Sequence, residues 1–368
     1  MRILFFAVTK NQYNYFQNLA NHLPYHSKVQ FFPSLNLSFQ GLKLLKNIDQ
    51  KAILESKYRE MDAKYSSKLH KYLYKKLLQF QLPWVLMVAF KPLSRYNPDY
   101  IILWNGKKFY QEIVLEVAKL LEVKPIFFEN GVLPNSTTMD FVGVNASNSL
   151  PREANFYQNL EYKDSSLPQS LEIRVSKKEK KQFNTKLPKE YIFIPFQVAY
   201  DTQIIQHSPW IRDMFEFFEI IEWLSQQLDI VFVIKEHPSD RVSNYTLLYQ
   251  KATNHIQFSS QNTQTLIENA TAIMTINSSV AMESLLFKKR VIVLGEAFFA
   301  IDGIVKIAHS KEQILDILEN LNKWSIDEPL INDFLHYLYE DYLIPTNWRN
   351  PDTKHYKAIK QKIEERRC

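Results

Sequence analysis

Residues 100–131 read YIILWNGKKFYQEIVLEVAKLLEVKPIFFENG. Tyr100–Trp104 and Pro125–Phe128 are short, unbroken apolar runs, the signature of buried strands. Between them, Lys107–Leu121 repeats its apolar residues at helical spacing. Strand, helix, strand at this separation predicts a parallel pair joined by a crossover helix.

The same alternation extends in both directions. Toward the N-terminus, Arg2–Val8 reads as a strand, Asn11–His22 as a helix and Val29–Phe32 as a second strand. Residues 43–82 space Leu, Ile and Tyr among lysines as two helices would. Residues 151–190 are polar, carry Pro151, Pro168 and Pro188 and the run Lys177–Lys181 (KKEKK), and read as a linker. Beyond it come strand Tyr191–Phe196, helix Trp210–Leu228, strand Ile230–Lys235, helix Ser243–Ala252 and strand Ile256–Phe258. A helix at 263–269, strand Ala272–Ile276, helix Val280–Phe287 and strand Val291–Leu294 follow, then a helix at 311–323. The expected fold is α/β: two Rossmann-like domains facing a cleft, with C-terminal helices. Domain bounds are 1–150, with a basic helical insertion at about 41–98, a linker at 151–190, a second domain at 191–330 and a helical tail at 331–368.

Composition narrows the chemistry. The 368 residues are 46% hydrophobic and 23% charged, enough for sizeable cores. Only six are glycine, and neither G-x-G-x-x-G nor G-x-x-x-x-G-K-[ST] occurs, so the usual phosphate loops are absent. The single cysteine, Cys368, excludes disulfide frameworks and Cys-based zinc sites. No apolar run reaches the ~20 residues of a membrane span. A cytoplasmic protein is expected, at most peripheral on the inner membrane. The net charge is +6, and residues 41–100 hold twelve Lys/Arg against five Asp/Glu, a local +7. That segment reads either as a solvated helical face or as contact with something anionic, such as a membrane surface. No nucleic-acid motif accompanies it, so a nucleic-acid partner is not expected.

Four strand ends carry residues suited to chemistry, and ligands in open α/β sheets sit beyond the carboxyl ends of strands. Strand 125–128 runs into Glu129-Asn130-Gly131. Strand 191–196 leads to Gln197 and then Asp201 and Gln203. Strand 230–235 ends in Lys235-Glu236-His237-Pro238, where the proline restrains His237 in an extended or turn conformation. Strand 272–276 leads to Asn277-Ser278-Ser279 at a helix start, with Glu283 one turn in. Hydroxyls and N–H groups there suit an anion. Each also has a plainer reading: a surface Glu, a cap or turn Asp, a loop His, an N-cap Ser, and a solvent-facing Glu283. The His-Pro loop with the Ser-Ser helix start suits one nucleotide phosphate held without metal. No D-x-D motif is present.

Several of these runs, taken in order over about residues 100–305, resemble the capsule-synthesis family of bacterial Kdo transferases. They are Phe128-Glu129-Asn130-Gly131-Val132-Leu133-Pro134 with Gly143-Val144-Asn145-Ala146, Gln197-x-x-x-Asp201-x-Gln203, Lys235-Glu236-His237-Pro238, Asn277-Ser278-Ser279 and Val293-Leu294-Gly295-Glu296-Ala297-Phe298-Phe299. Some relatives carry an acidic residue where this chain has Asn130. The resemblance implies a GT-B arrangement and transfer of Kdo, an eight-carbon acidic sugar, from CMP-Kdo with retention. The acceptor would be a glycolipid or saccharide, bound by the first domain. Asp201 would be nucleophile and Glu129 acid/base. His237, Pro238, Asn277, Ser278, Ser279, Glu283 and Lys235 would bind the donor, and Gly131, Gln197 and Gln203 would form a donor or acceptor loop. No cofactor or metal is implied. A CMP-sialic-acid-type transferase and a non-catalytic membrane-docking assembly protein stand as alternatives.

Overall fold

The structure is a computed structural model; it describes residues 1–32, 37–65, 67–158, 160, 162, 167–172, 181–183 and 186–366. In chain order the elements begin β1 (Arg2–Ala7), α1 (Lys10–His22), β2 (His26–Phe31), α2 (Gln50–Lys64), α3 (Lys68–Tyr96), β3 (Tyr100–Trp104), α4 (Phe109–Leu120), β4 (Lys124–Asn130), β5 (Ser136–Asp140) and α5 (Ala154–Tyr157). They continue β6 (Ile192–Pro195), α6 (Thr202–His207), α7 (Met214–Gln227), β7 (Phe232–Lys235), α8 (Thr246–Gln250), β8 (Ile256–Phe258), α9 (Thr263–Asn269), β9 (Ala272–Thr275), α10 (Val280–Leu286), β10 (Arg290–Val293) and β11 (Lys306–Ile307). The last are α11 (Lys311–Glu319), α12 (Glu328–His336), β12 (Ile344–Pro345) and α13 (Thr353–Glu365). The chain divides into two compact units. One comprises Met1–Gly131, Asn135–Ser149 and Glu340–Cys368, the other Val132–Pro134 and Leu150–Tyr339. Both are Rossmann-like α/β units, the class the strand and helix spacing predicts.

The first unit holds a six-stranded sheet in the order β12-β5-β4-β3-β1-β2. β2, β1, β3 and β4 are parallel, and β5 and β12 are antiparallel additions. β1 and β3 are nearly continuous apolar runs because helices cover both faces. On one face, Leu78, Leu82, Val85, Leu86 and Leu93 of α3 pack with Leu4, Phe6, Ile101 and Leu103. The basic segment is therefore the β2-to-β3 crossover and a core layer, not an inserted module. α3 runs well past residue 82 and through Pro83 and Pro92. Its apolar face is buried at Val85, Val88 and Ala89, and that packing overrides the prolines' tendency to break a helix.

β5 was not expected from the sequence. Its residues STTMD are all buried, yet the hydroxyls are satisfied: Thr137 Oγ1 donates to the Thr346 carbonyl at 2.9 Å and Thr138 Oγ1 to that of Asn130 at 3.2 Å. A strand whose polarity is balanced by a segment some two hundred residues away shows no apolar run to read.

The second unit's sheet has the order β11-β10-β9-β6-β7-β8, with every pair parallel. Read from β8, this is the Rossmann order. Helix α7 starts at Met214 rather than at 210, because Asp213 caps it by accepting from the N–H groups of Phe215 (2.8 Å) and Glu216 (2.9 Å). Within the polar stretch 151–190, α5 buries Tyr157 completely, against Phe334 and Tyr337. The KKEKK run lies, except for Lys181, outside the described residues.

Candidate functional site

In the second unit the chain steps from β6 to β7 and β8, then returns to place β9 on the other side of β6. That reversal puts the topological switch between β6 and β9, where the carboxyl ends of such sheets open a ligand crevice. Both flanking loops carry motif residues, Gln197–Gln203 after β6 and Asn277–Ser279 after β9.

The two loops are tied together. Gln197 is buried; its Nε2 donates to Asn277 Oδ1 at 2.9 Å, and its Oε1 accepts from the Asn277 N–H (3.1 Å) and the Thr275 hydroxyl (3.2 Å). Asn277 Nδ2 donates to the carbonyls of Gln203 (3.0 Å), His207 (3.0 Å) and Glu296 (3.3 Å). Three loops, after β6, β9 and β10, are therefore held by one buried amide pair. Gly295 makes the approach feasible, since a Cβ there would lie 2.8 Å from the His207 carbonyl oxygen. Both amides are engaged in tying these loops together. Nδ2 of Asn277 already serves three backbone acceptors, and its Oδ1 accepts from Gln197.

Asp201 caps α6. Its Oδ1 accepts from the Gln203 N–H at 3.0 Å and from the Thr202 hydroxyl at 3.5 Å. The side chain is exposed, and among the described residues no hydrogen bond reaches Oδ2. The cap reading is thus realised, with one carboxylate oxygen still open. Gln203 sits in the first turn of that helix.

The loop after β7 holds its groups differently. His237 is half-buried, and its Nδ1 accepts from the Ser239 N–H at 3.1 Å, which leaves the proton of the neutral ring on Nε2. Pro238 follows in the same turn. Lys235 donates through Nζ to the Gln261 carbonyl, and burial lowers its pKa below the ordinary lysine value. It is committed to the β8–α9 loop. Asp240, not picked from the sequence, organises the turn by accepting from Val242, Ser243 and Tyr245.

At the start of α10, Ser278 is buried and its hydroxyl accepts from the Val280 N–H at 3.2 Å, so that donor is already used. Ser279 is half-buried and caps nothing with its side chain. Glu283 is buried, at 6% exposure, which overturns the solvent-facing reading. An open pocket of about 580 Å³ lined by Ile307, His309 and Glu312 lies at the β11 edge and involves none of these loops.

In the first unit Glu129 lies within β4, one residue before its end, rather than beyond the strand. Its Oε1 accepts from Trp104 Nε1 (3.1 Å) and from the Asn130 N–H and Nδ2 (both 2.9 Å), and its Oε2 accepts from Asn105 Nδ2 at 2.6 Å. Asn130 Oδ1 in turn accepts from Trp348 Nε1 at 2.9 Å, and the Trp104 and Trp348 rings are 4.6 Å apart. Gly131 passes against Ser136, where a Cβ would come within 2.4 Å of backbone. Asn105 was legible as an Asn-Gly turn after a strand; it takes φ +59°. Nothing in the sequence pointed to Trp348. Among the described residues no group of three or more His, Cys, Asp or Glu is placed to hold a metal ion, and no helix is long and apolar enough to cross a membrane.

Comparison with known proteins adds the family. The family described as capsule polysaccharide biosynthesis protein matches residues 161–347. Protein FixF of Sinorhizobium fredii (strain NBRC 101917 / NGR234) is 34% identical over 266 residues, which is 71% of this chain and 64% of that protein. The chain therefore spans less than two thirds of that relative's length. Among solved structures, the Thermosulfurimonas dismutans KpsC beta Kdo 2,4 transferase aligns at 16% identity and a TM-score of 0.47, covering 68% of this chain and 84% of that one. The Methanocaldococcus jannaschii UDP-GlcNAc 2-epimerase aligns at 11% and 0.40, covering 99% and 100%. The matched span takes in the loops after β6, β7, β9 and β10, and the chain belongs to the capsule polysaccharide biosynthesis protein family.

Proposed function

We propose that the chain is a glycosyltransferase that moves Kdo from CMP-Kdo, with retention, to a lipid-linked or saccharide acceptor in capsule or cell-surface polysaccharide assembly. The observation that carries this reading is the gathering of the motif loops at the switch point of the second sheet by the Gln197–Asn277 pair. In the proposed course, the open carboxylate oxygen of Asp201 attacks the anomeric carbon of Kdo and CMP departs with the bonding pair. The acceptor hydroxyl then attacks the same carbon, displaces Asp201 and gives its proton to Glu129. His237 and Ser279 stabilise the charge of the departing phosphate, while Gln197, Asn277 and Ser278 hold the loops that carry them. Lys235 is engaged with the Gln261 carbonyl, and Glu283 lies buried in the first turn of α10. No metal takes part in this course.

The test is incubation with CMP-Kdo or CMP-sialic acid and a panel of lipid and saccharide acceptors, with and without EDTA, read by mass spectrometry. Kdo transfer that persists in chelator is expected. Use of CMP-sialic acid alone overturns the donor, and activity restored only by Mg²⁺ or Mn²⁺ overturns the metal-free course. No turnover of either donor overturns the transferase reading.

A further inference from the structure

Helix α3 is apolar on two sides, and the fold covers only one of them. Leu78 and Leu82 face the core at 1% exposure each. On the other side Leu69 is 66% exposed, Tyr72 59%, Leu73 55%, Leu77 47% and Phe80 80%. At 3.6 residues per turn these five side chains fall within an arc of about 140°. The same face continues to Trp84 and Met87, but there it is covered: the Ser38 N–H donates to the Met87 carbonyl at 3.1 Å, and Gly41 packs on Leu86 and Met87. Phe39, in the covering segment, is itself 77% exposed. The uncovered part is thus a contiguous apolar stripe, not a scatter of single side chains.

Cations accompany it: Lys68 flanks the stripe, and Lys76 falls within its arc. Lys68 and Lys76 are exposed, with the Lys76 ammonium 5.8 Å from the Tyr72 ring centre. Lys71 and Lys75 are engaged elsewhere, with Asp62 of α2 at 3.7 and 3.2 Å, and Lys75 also lies over Tyr58. They hold α2 on α3. An apolar stripe with exposed lysines beside and within it, on a segment of net charge +7, is complementary to a surface with a hydrocarbon interior and an anionic face. We infer that the exposed face of α3, from Leu69 to Phe80 and joined by Phe39, inserts into the interface of an anionic lipid bilayer. Lys68 and Lys76 reach the headgroups.

The inference stands apart from the transferase reading, because its test contains no donor sugar. The full chain is mixed with vesicles of phosphatidylcholine, or of phosphatidylcholine with phosphatidylglycerol, and sedimented at low and high salt. The wild type is expected to favour the anionic vesicles and to retain part of its binding at high salt. Screening removes the ionic attraction over ~10 Å at about 0.1 M but leaves apolar insertion intact. The triple variant Leu73→Ser, Leu77→Ser, Phe80→Ser removes exposed side chains only, and should lower partition by roughly tenfold or more while circular dichroism is unchanged. Lys68→Glu with Lys76→Glu should weaken binding to anionic vesicles alone. Unchanged partition in the triple variant overturns the inference. So does a dimer in solution that the triple variant dissociates while vesicle binding stays as it was, since the stripe would then bind a second copy.

Discussion

Asp201 has two duties that one substitution can separate. Its Oδ1 caps α6 while Oδ2 is open, and asparagine caps about as well as aspartate. Asp201→Asn should therefore leave thermal stability within a few tenths of a kcal/mol and abolish transfer. Near-normal turnover would leave Asp201 a cap and nothing more. Glu129→Gln should slow transfer by roughly 10²–10⁴-fold without removing an adduct from the peptide containing Asp201; an adduct found on Glu129 would reverse the two roles. Asn130 joins two groups of the first unit. Its Nδ2 donates to Glu129 while its Oδ1 accepts from Trp348, a bridge that needs one side chain to donate and accept at once. Asn130→Asp keeps the Trp348 bond but sets a second carboxylate beside Glu129. A like charge disfavours ionisation, so the limb of the pH–rate profile set by Glu129 should move to higher pH. An unmoved profile would show that the bridge does not govern that titration.

At the scale of elements, α13 is docked on α1 through a buried histidine. His355 is fully buried, its Nδ1 donates to the Pro345 carbonyl at 2.8 Å, and its Nε2 accepts from the Tyr15 hydroxyl at 2.7 Å. Burial lowers the His355 pKa below the ordinary value of 6.5, against the opposing pull of the backbone carbonyl of Pro345. The folded state thus binds fewer protons than the unfolded one as pH falls below about 6.5. The stabilisation is present above that pH and is lost on acidification, by at most about 1.4 kcal/mol per pH unit for the one proton. Melting temperatures between pH 7 and pH 5 should fall more steeply in the wild type than in His355→Gln. Equal slopes would mean that other groups set the acid limit.

Across the whole molecule, the last residues complete the first unit. Ile359 and Ile363 are fully buried with Phe5, Phe16 and Leu19, and β12 pairs with β5. Replacing each isoleucine by alanine should cost about 2–5 kcal/mol. Hydrogen exchange should show the lost protection in residues 1–31 and 100–140, more than 200 positions away in sequence, with residues 191–335 unchanged. Equal loss in both ranges would contradict the division into two units.

How far the sequence reaches follows from where each signal is stored. Buried strands of the parallel sheets are apolar runs, so Tyr100–Trp104 and Ile256–Phe258 coincide with β3 and β8, and helix spacing placed α9 and α10 within a residue. These patterns are local, and they determined the α/β class, the pair of sheets and the loops that carry the motifs. β5 and β12 were invisible because their pairing and polar satisfaction depend on each other across the chain. The same holds for Trp348 beside Asn130. Asn277 read as a ligand because an amide's partners do not show in one dimension; only packing revealed that it joins three loops. The lysines of α3 looked alike in sequence, and tertiary structure alone assigned Lys71 and Lys75 to Asp62 and left Lys68, Lys76 and the apolar stripe exposed to solvent. Local periodicity is written in neighbouring residues, whereas hydrogen-bond partnership and exposure belong to the folded surface as a whole.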